Sequence, residues 1–179
     1  MIVGLLLQGC ATTKTLTFES QALDGQQKVI QEGREAIFSP KKALVTIRPG
    51  ANTYSSDGRP KFVVTVVNST EEPFDFSTED IQVFVDGEPH KVFTYDELAA
   101  DVKREQPLSD RNRTEQFLSV LNTTTLKRTT VLPRAWHGGY VTIEKIPNAD
   151  HLRDIRVVIR AAGEEHEFLF KHYKVPYHP

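Results

Sequence analysis

Ile81-Gln82-Val83-Phe84-Val85-Asp86-Gly87-Glu88-Pro89-His90-Lys91-Val92-Phe93 alternates apolar and polar side chains on both sides of Asp86-Gly87. A period of two puts Ile81, Val83 and Val85 on one face of a strand. Asp-Gly supplies the two positive φ angles that a tight two-residue hairpin needs. The stretch therefore reads as a β-hairpin, and the sequence on either side continues in the same manner.

Upstream, Phe62-Val63-Val64-Thr65-Val66-Val67-Asn68 is β-branched nearly throughout. Phe62, Val64 and Val66 share one face, and Val63, Thr65 and Val67 the other. With both faces apolar, the segment is expected to be a central strand covered on each side. Lys42 to Arg48 is a further strand, closed by Pro49-Gly50. Downstream, Thr94-Tyr95-Asp96-Glu97 has capping-box spacing and opens a helix that Gln106-Pro107 should end. Phe117, Leu118 and Leu121 have helical spacing and predict a second short helix packed lightly on the sandwich edge, so a helical insertion is expected over about 95–122. Strands are expected again over Thr123 to Leu132, Gly139 to Ile146, Ile155 to Arg160 and His166 to Phe170, with turns at Pro147 to Asp150 and Ala162 to Glu164. Seven to nine short strands without crossover helices predict a mainly β chain folded as an antiparallel β-sandwich.

The 179 residues have room for one domain of ordinary size. Lys plus Arg number 22 against 24 for Asp plus Glu, a near balance that points away from a nucleic-acid partner. The charges are unevenly spread. Residues 71–101 hold ten acids against one lysine, and residues 102–134 hold seven bases against three acids. Either the two stretches fold against each other or the basic insertion is a binding surface. Arg104, Arg111, Arg113, Phe117, Arg134 and Trp136 are the candidates for partner contact, because arginine and tryptophan on a loop-rich insertion are frequent hot-spot chemistry.

Cys10 is the single cysteine, so neither an internal disulfide nor a thiolate metal cluster can form. It follows the apolar run Ile2 to Leu7, and Leu7-Gln8-Gly9-Cys10 resembles the lipobox of bacterial lipoproteins. The resemblance implies a cleaved leader over 1–9 and a diacylglyceryl group on the Cys10 thiol. Each buried methylene of such a group contributes about 0.8 kcal/mol to membrane attachment. Ala11 stands where an Asp would favour inner-membrane retention, which implies the outer membrane, facing the periplasm. Residues 10–40 are polar and mixed, and are expected to be a tether with one or two marginal strands. Residues 41–179 are expected to form the folded domain.

The body, over roughly 41–171, resembles a broad class of envelope lipoproteins with an immunoglobulin-like sandwich. Its marks are the strand ending Asn68-Ser69-Thr70, the pair Phe74-Asp75-Phe76, the helix start Tyr95-Asp96-Glu97-Leu98, the run Thr129 to Pro133 leading to Gly139-Tyr140-Val141, and Gly163-Glu164-Glu165-His166-Glu167-Phe168-Leu169-Phe170. Where such proteins often have Pro-Gly, this chain has Pro133-Arg134. These marks are strand edges and turns and imply no reaction.

Catalytic patterns are sparse. No Gly-x-Ser-x-Gly elbow occurs, adjacent acids such as Glu71-Glu72 sit at expected turns, and the spacings of His90, His137, His151, His166, His172 and His178 fit no compact metal site. The expectation is a non-enzymatic, lipid-anchored envelope protein that binds or scaffolds another envelope protein, with no cofactor and no metal. The alternative is a module for a small ligand, a carbohydrate or peptidoglycan fragment, using Tyr54, Trp136 and Tyr140. A hydrolase is the remote third.

Overall fold

The computed structural model describes residues 14–105, 111–147 and 151–175. Two six-stranded antiparallel sheets pack face to face, as the alternating sequence requires. Sheet A has the order β5 (Tyr54–Ser55), β1 (Thr15–Gln21), β14 (Glu164–Lys174), β13 (Arg153–Ala161), β8 (Ile81–Val85) and β9 (Glu88–His90). Sheet B has the order β10 (Val92–Phe93), β12 (Trp136–Ile143), β6 (Lys61–Asn68), β4 (Ala43–Pro49), β3 (Arg34–Pro40) and β2 (Gln27–Gln31). A small ladder joins β7 (Phe74–Phe76) to β11 (Thr129–Val131). Phe62, Val64 and Val66 point inward from sheet B and meet Ile155, Val157, Ile159, Phe168 and Phe170 from sheet A in one core.

The residues expected as a tether belong to the sandwich. β1 pairs with β14 over six residues, and Leu16 and Phe18 are buried. β3 pairs with β4 and buries Ala36 and Ile37. The segment reads as polar because β2 is an edge strand with mostly exposed side chains and because Thr15, Thr17 and Glu19 alternate with the buried residues of β1. Pro40 ends β3 and does not open the domain. Cys10 and the leader lie outside the described residues.

Three two-residue turns of one kind close hairpins: Glu32-Gly33, Asp86-Gly87 and Ala162-Gly163, each with positive φ at both positions. After the Asp86-Gly87 hairpin the chain changes sheets, since β9 pairs in sheet A and β10 in sheet B. β6 is interior to its sheet as expected, but Val63, Thr65 and Val67 on its outer face are only half-buried.

Helix α1 (Tyr95–Glu105) starts on the anticipated box: the Glu97 amide donates to the Thr94 hydroxyl at 3.3 Å and the Thr94 amide to the Glu97 carboxylate at 2.9 Å. Helix α2 (Arg111–Thr124) runs two residues into the expected strand. Its last turn tolerates β-branched residues because the hydroxyls of Thr123 and Thr124 donate back to the Val120 carbonyl. The hairpin of helices is rooted on one edge of β12 at both ends. β10 pairs with Thr142 and Ile143, and beyond α2 the Leu126 amide donates to the Tyr140 carbonyl at 3.0 Å.

β12 starts at Trp136, so the strand expected from Gly139 begins three residues earlier and takes in His137 and Gly138. A Cβ on Gly139 would lie 2.7 Å from the Leu126 amide nitrogen, so glycine is what lets the returning chain cross the strand. The turn into the strand comes earlier still. Leu132-Pro133-Arg134-Ala135 is closed by the Ala135 amide on the Leu132 carbonyl at 3.0 Å, with Arg134 at φ 63°. Nearby, the fully buried Asn68 donates to the carbonyls of Glu72 and Val131 and accepts from the Thr70 amide. This pins the end of β6 to β11.

Candidate functional site

The six residues expected at a partner surface fall into two groups. Arg104 lies on α1, where it pairs with Asp101, itself held by Arg59 at 2.6 Å. Arg59 keeps the Asp101 carboxyl below the usual carboxylate range. Arg113 and Phe117 lie on α2, the guanidinium 5.6 Å from the ring centre, and Arg111 opens that helix with a side chain outside the described ones. Arg134 and Trp136 sit at the start of β12, six residues or about 20 Å along the strand from Thr142, where the helices are rooted. The structure does not bring the two groups together.

Part of the charge asymmetry folds against itself. Arg128 pairs with Glu79 at 2.9 Å, and Arg134 reaches Glu71 at 3.9 Å. Both pairs are exposed and contribute little to stability.

A different surface stands out when the two sheets are compared on their outward sides. In sheet A that side is charged and cross-paired: Arg156 meets Glu167 at 3.8 Å and covers the Phe84 ring at 4.2 Å, Arg160 meets Glu165 at 3.0 Å, and Lys171 pairs with Asp154. In sheet B the residues opposite one another are Leu44, Val67 and Trp136 in one row, then Phe38, Thr46, Thr65 and Gly138, then Arg48, Val63 and Tyr140. The one charge in these rows is Arg48. It is 4% exposed and turned aside to Glu32. Trp136 is 71% exposed, and Leu132, in the turn just before it, is 59% exposed. Three successive rows of a sheet face without a free charge, and an exposed indole at their rim, are uncommon on a solvated surface. The signal was present in the sequence as missing charges at alternate positions of 36–40, 44–46, 63–67 and 136–140, and is visible only once the register aligns them.

The opposite rim of sheet B, where the chain enters β1, holds a cleft under α2. One compartment of about 500 Å³ is lined by Phe18, Tyr54 and Tyr140, with Gly50 and Ala51 at its base and Val120 and Thr124 above. A second of about 710 Å³ includes Phe93, Leu98, Leu121, Glu105, Glu144 and Lys145. Arg59 and Lys61 line both. Tyr54 and Tyr140, two of the three aromatics considered for a small ligand, are thus brought together, while Trp136 is remote from them. Tyr54 stacks on Phe18 with ring centres 5.4 Å apart and hydrogen-bonds through its hydroxyl to Nε2 of His172, and burial pushes that hydroxyl's pKa up.

His166 and His172 share the inward face of β14, both fully buried and six residues apart. Nδ1 of His166 meets the Ser39 hydroxyl at 3.0 Å. Burial lowers both imidazole pKa values to about 4. Among the described residues no three potential ligands converge on a metal position, and no helix is long and apolar enough to cross a membrane. No family model, curated protein or solved structure matches the chain.

Proposed function

We propose that this chain is a lipid-anchored protein of the bacterial envelope, attached through Cys10, that acts without catalysis by presenting the outer face of sheet B to another protein. The observation that carries the binding part is the contrast between the two sheets: cross-paired charges on the outward side of sheet A, and Leu44, Val67, Phe38, Val63 and Trp136 without a free charge among them toward the Trp136 end of sheet B. Tryptophan at the rim of an apolar face is the side chain that most often dominates protein contacts.

The anchor part rests on the lipobox-like Leu7-Gln8-Gly9-Cys10. Because β1 begins at Thr15, only four peptide steps separate Cys10 from Lys14, a span of at most about 14 Å. An anchored domain would then stand directly on the membrane by its N-terminal rim. Trp136 would lie at the distal rim, facing into the periplasm.

Photocrosslinking in living cells tests the binding part. A crosslinking amino acid at position 136 or 67 is expected to yield a discrete protein adduct, and one at Phe84 on the outer side of sheet A is not. Adducts from position 84 but not from 136 or 67 would overturn the reading. Labelled palmitate, incorporated by the wild-type chain and lost with Cys10→Ala, tests the anchor separately.

A second reading, a small-ligand module, is supported by the cleft that brings Tyr54 and Tyr140 together at the other rim.

A further inference from the structure

We infer that the cleft under α2 binds an anionic amphiphile, an acyl chain ending in a single carboxylate or phosphate. The inference deepens the ligand-binding reading of the cleft and is independent of the lipid on Cys10.

The walls of the inner compartment decide the body of the ligand. Phe18, Tyr54, Tyr140, Val120 and Ala51 offer rings and methyl groups, and two of the hydroxyls lining the compartment, those of Tyr54 and Thr124, are already engaged. The Tyr54 hydroxyl is engaged by His172, and the Thr124 hydroxyl donates to the Val120 carbonyl at 2.8 Å. A sugar bound there would bury hydroxyls with few partners, at a cost of about 1 to 3 kcal/mol for each one left unsatisfied. An aliphatic chain loses nothing. A volume of about 500 Å³ lies in the ordinary range for small-molecule sites.

The junction decides the head group. Arg59 is already committed, ion-paired with Asp101 and 4.2 Å from the centre of the Phe93 ring. Lys145 is held by Asp57 at 3.4 Å. Lys61 lines both compartments, and no carboxylate among the described residues pairs with it. One unpaired cation at the mouth of an apolar compartment matches one anion on the end of an apolar chain. Glu105 and Glu144 line the outer compartment beyond it, so a compact monoanion seated at Lys61 fits and an extended polyanion does not.

α2 supplies an adaptable roof. It has no fully buried side chain along its described length, so it can shift to admit a chain without breaking a core.

The test uses the full chain carrying Cys10→Ala, which has no lipid of its own, and titrates it calorimetrically with decanoate, decyl phosphate and decyl maltoside below their micelle concentrations. The acids are expected to bind about tenfold more tightly than the neutral maltoside, the size of one charge-assisted contact. Lys61→Gln should remove that preference while leaving the melting temperature unchanged. Val120→Trp, at an exposed position over the compartment, should weaken all three. Binding of decyl phosphate alone would identify a membrane phospholipid as the source, and binding of decanoate alone a free fatty acid. Equal binding of acid and maltoside, or acid binding unaffected by both substitutions, would overturn the inference. If a soluble muropeptide binds and the alkyl acids do not, the cleft is a ligand site but this ligand class is wrong. If nothing binds, the ligand-binding reading fails as well.

Discussion

The Tyr54 hydroxyl and Nε2 of His172 are hydrogen-bonded between β5 and β14, while Nδ1 of His172 is buried with no partner. His166, three side chains along the same inward face, has its Nε2 in the same condition. Both rings are therefore held neutral, with pKa values near 4 in place of 6.5. The unfolded chain takes up these two protons as the pH falls through 6.5, and the folded chain does so only near 4. Stability is thus fully present above about pH 6.5, falls between 6.5 and 4, and changes no further on their account below 4. Each histidine contributes a slope of up to about 1.4 kcal/mol per pH unit in that window. Urea unfolding at pH 7 and pH 4.5 checks this. The loss should shrink by about half in His166→Phe, and an unchanged loss would remove the histidines as its cause.

Arg134 occupies the third position of the turn Leu132 to Ala135 at φ 63°, a conformation that costs a non-glycine residue about 1 kcal/mol. Its ion pair with Glu71 at 3.9 Å is too exposed to offset this. Arg134→Gly is expected to stabilise the domain by about 0.5 to 1 kcal/mol and Arg134→Val to destabilise it by a similar amount, both read from urea midpoints. The turn keeps the geometry that Pro-Gly would give, and arginine is tolerated in it at that cost.

The same turns differ in how openly the sequence shows them. Asp86-Gly87 announced its hairpin because aspartate and glycine are both known for positive φ, and Ala162-Gly163 was found from the strands on either side. Glu32-Gly33 passed unnoticed since its flanking strand β2 is an exposed edge, where Lys28 and Glu35 pair across the ladder and no apolar alternation survives. The Thr94 to Glu97 box was legible as a purely local pattern. The start of β12 at Trp136 was hidden by Gly138-Gly139, because the need for glycine at 139 comes from the close approach of Leu126, a contact between segments thirteen residues apart. The candidate surfaces failed for the same reason. Leu44, Val67 and Trp136 are neighbours only through the register of three strands, and Tyr54, Lys61, Val120 and Tyr140 only through the docking of α2.

Gly139→Ala is a direct probe of that approach. The added methyl would meet the Leu126 amide nitrogen at 2.7 Å and the Thr124 carbonyl at 2.9 Å, both backbone atoms that cannot swing aside. The expected loss is about 2 to 3 kcal/mol. Hydrogen exchange at the Leu126 amide should accelerate more than at β13, since its bond to Tyr140 must lengthen first. Uniform acceleration through both sheets would point to global destabilisation and against a local clash.

Trp136 is the single tryptophan of the chain, so its fluorescence reports on one place, the distal rim of sheet B. At 71% exposure it should emit as an indole in water and be quenched freely by acrylamide. A partner seated on Leu44, Val67 and Trp136 must exclude water from that ring, shifting the emission to shorter wavelength and protecting it from acrylamide. Trp136→Ala should leave stability within about 0.5 kcal/mol, as for other exposed positions, yet weaken association by about 2 kcal/mol or more if the indole is an anchor of the contact. A partner that binds with Trp136 emission and quenching unmoved would place the contact elsewhere on the domain. The same measurement separates the two rims, because decanoate bound near Lys61, about 20 Å away along β12, should leave the emission unchanged.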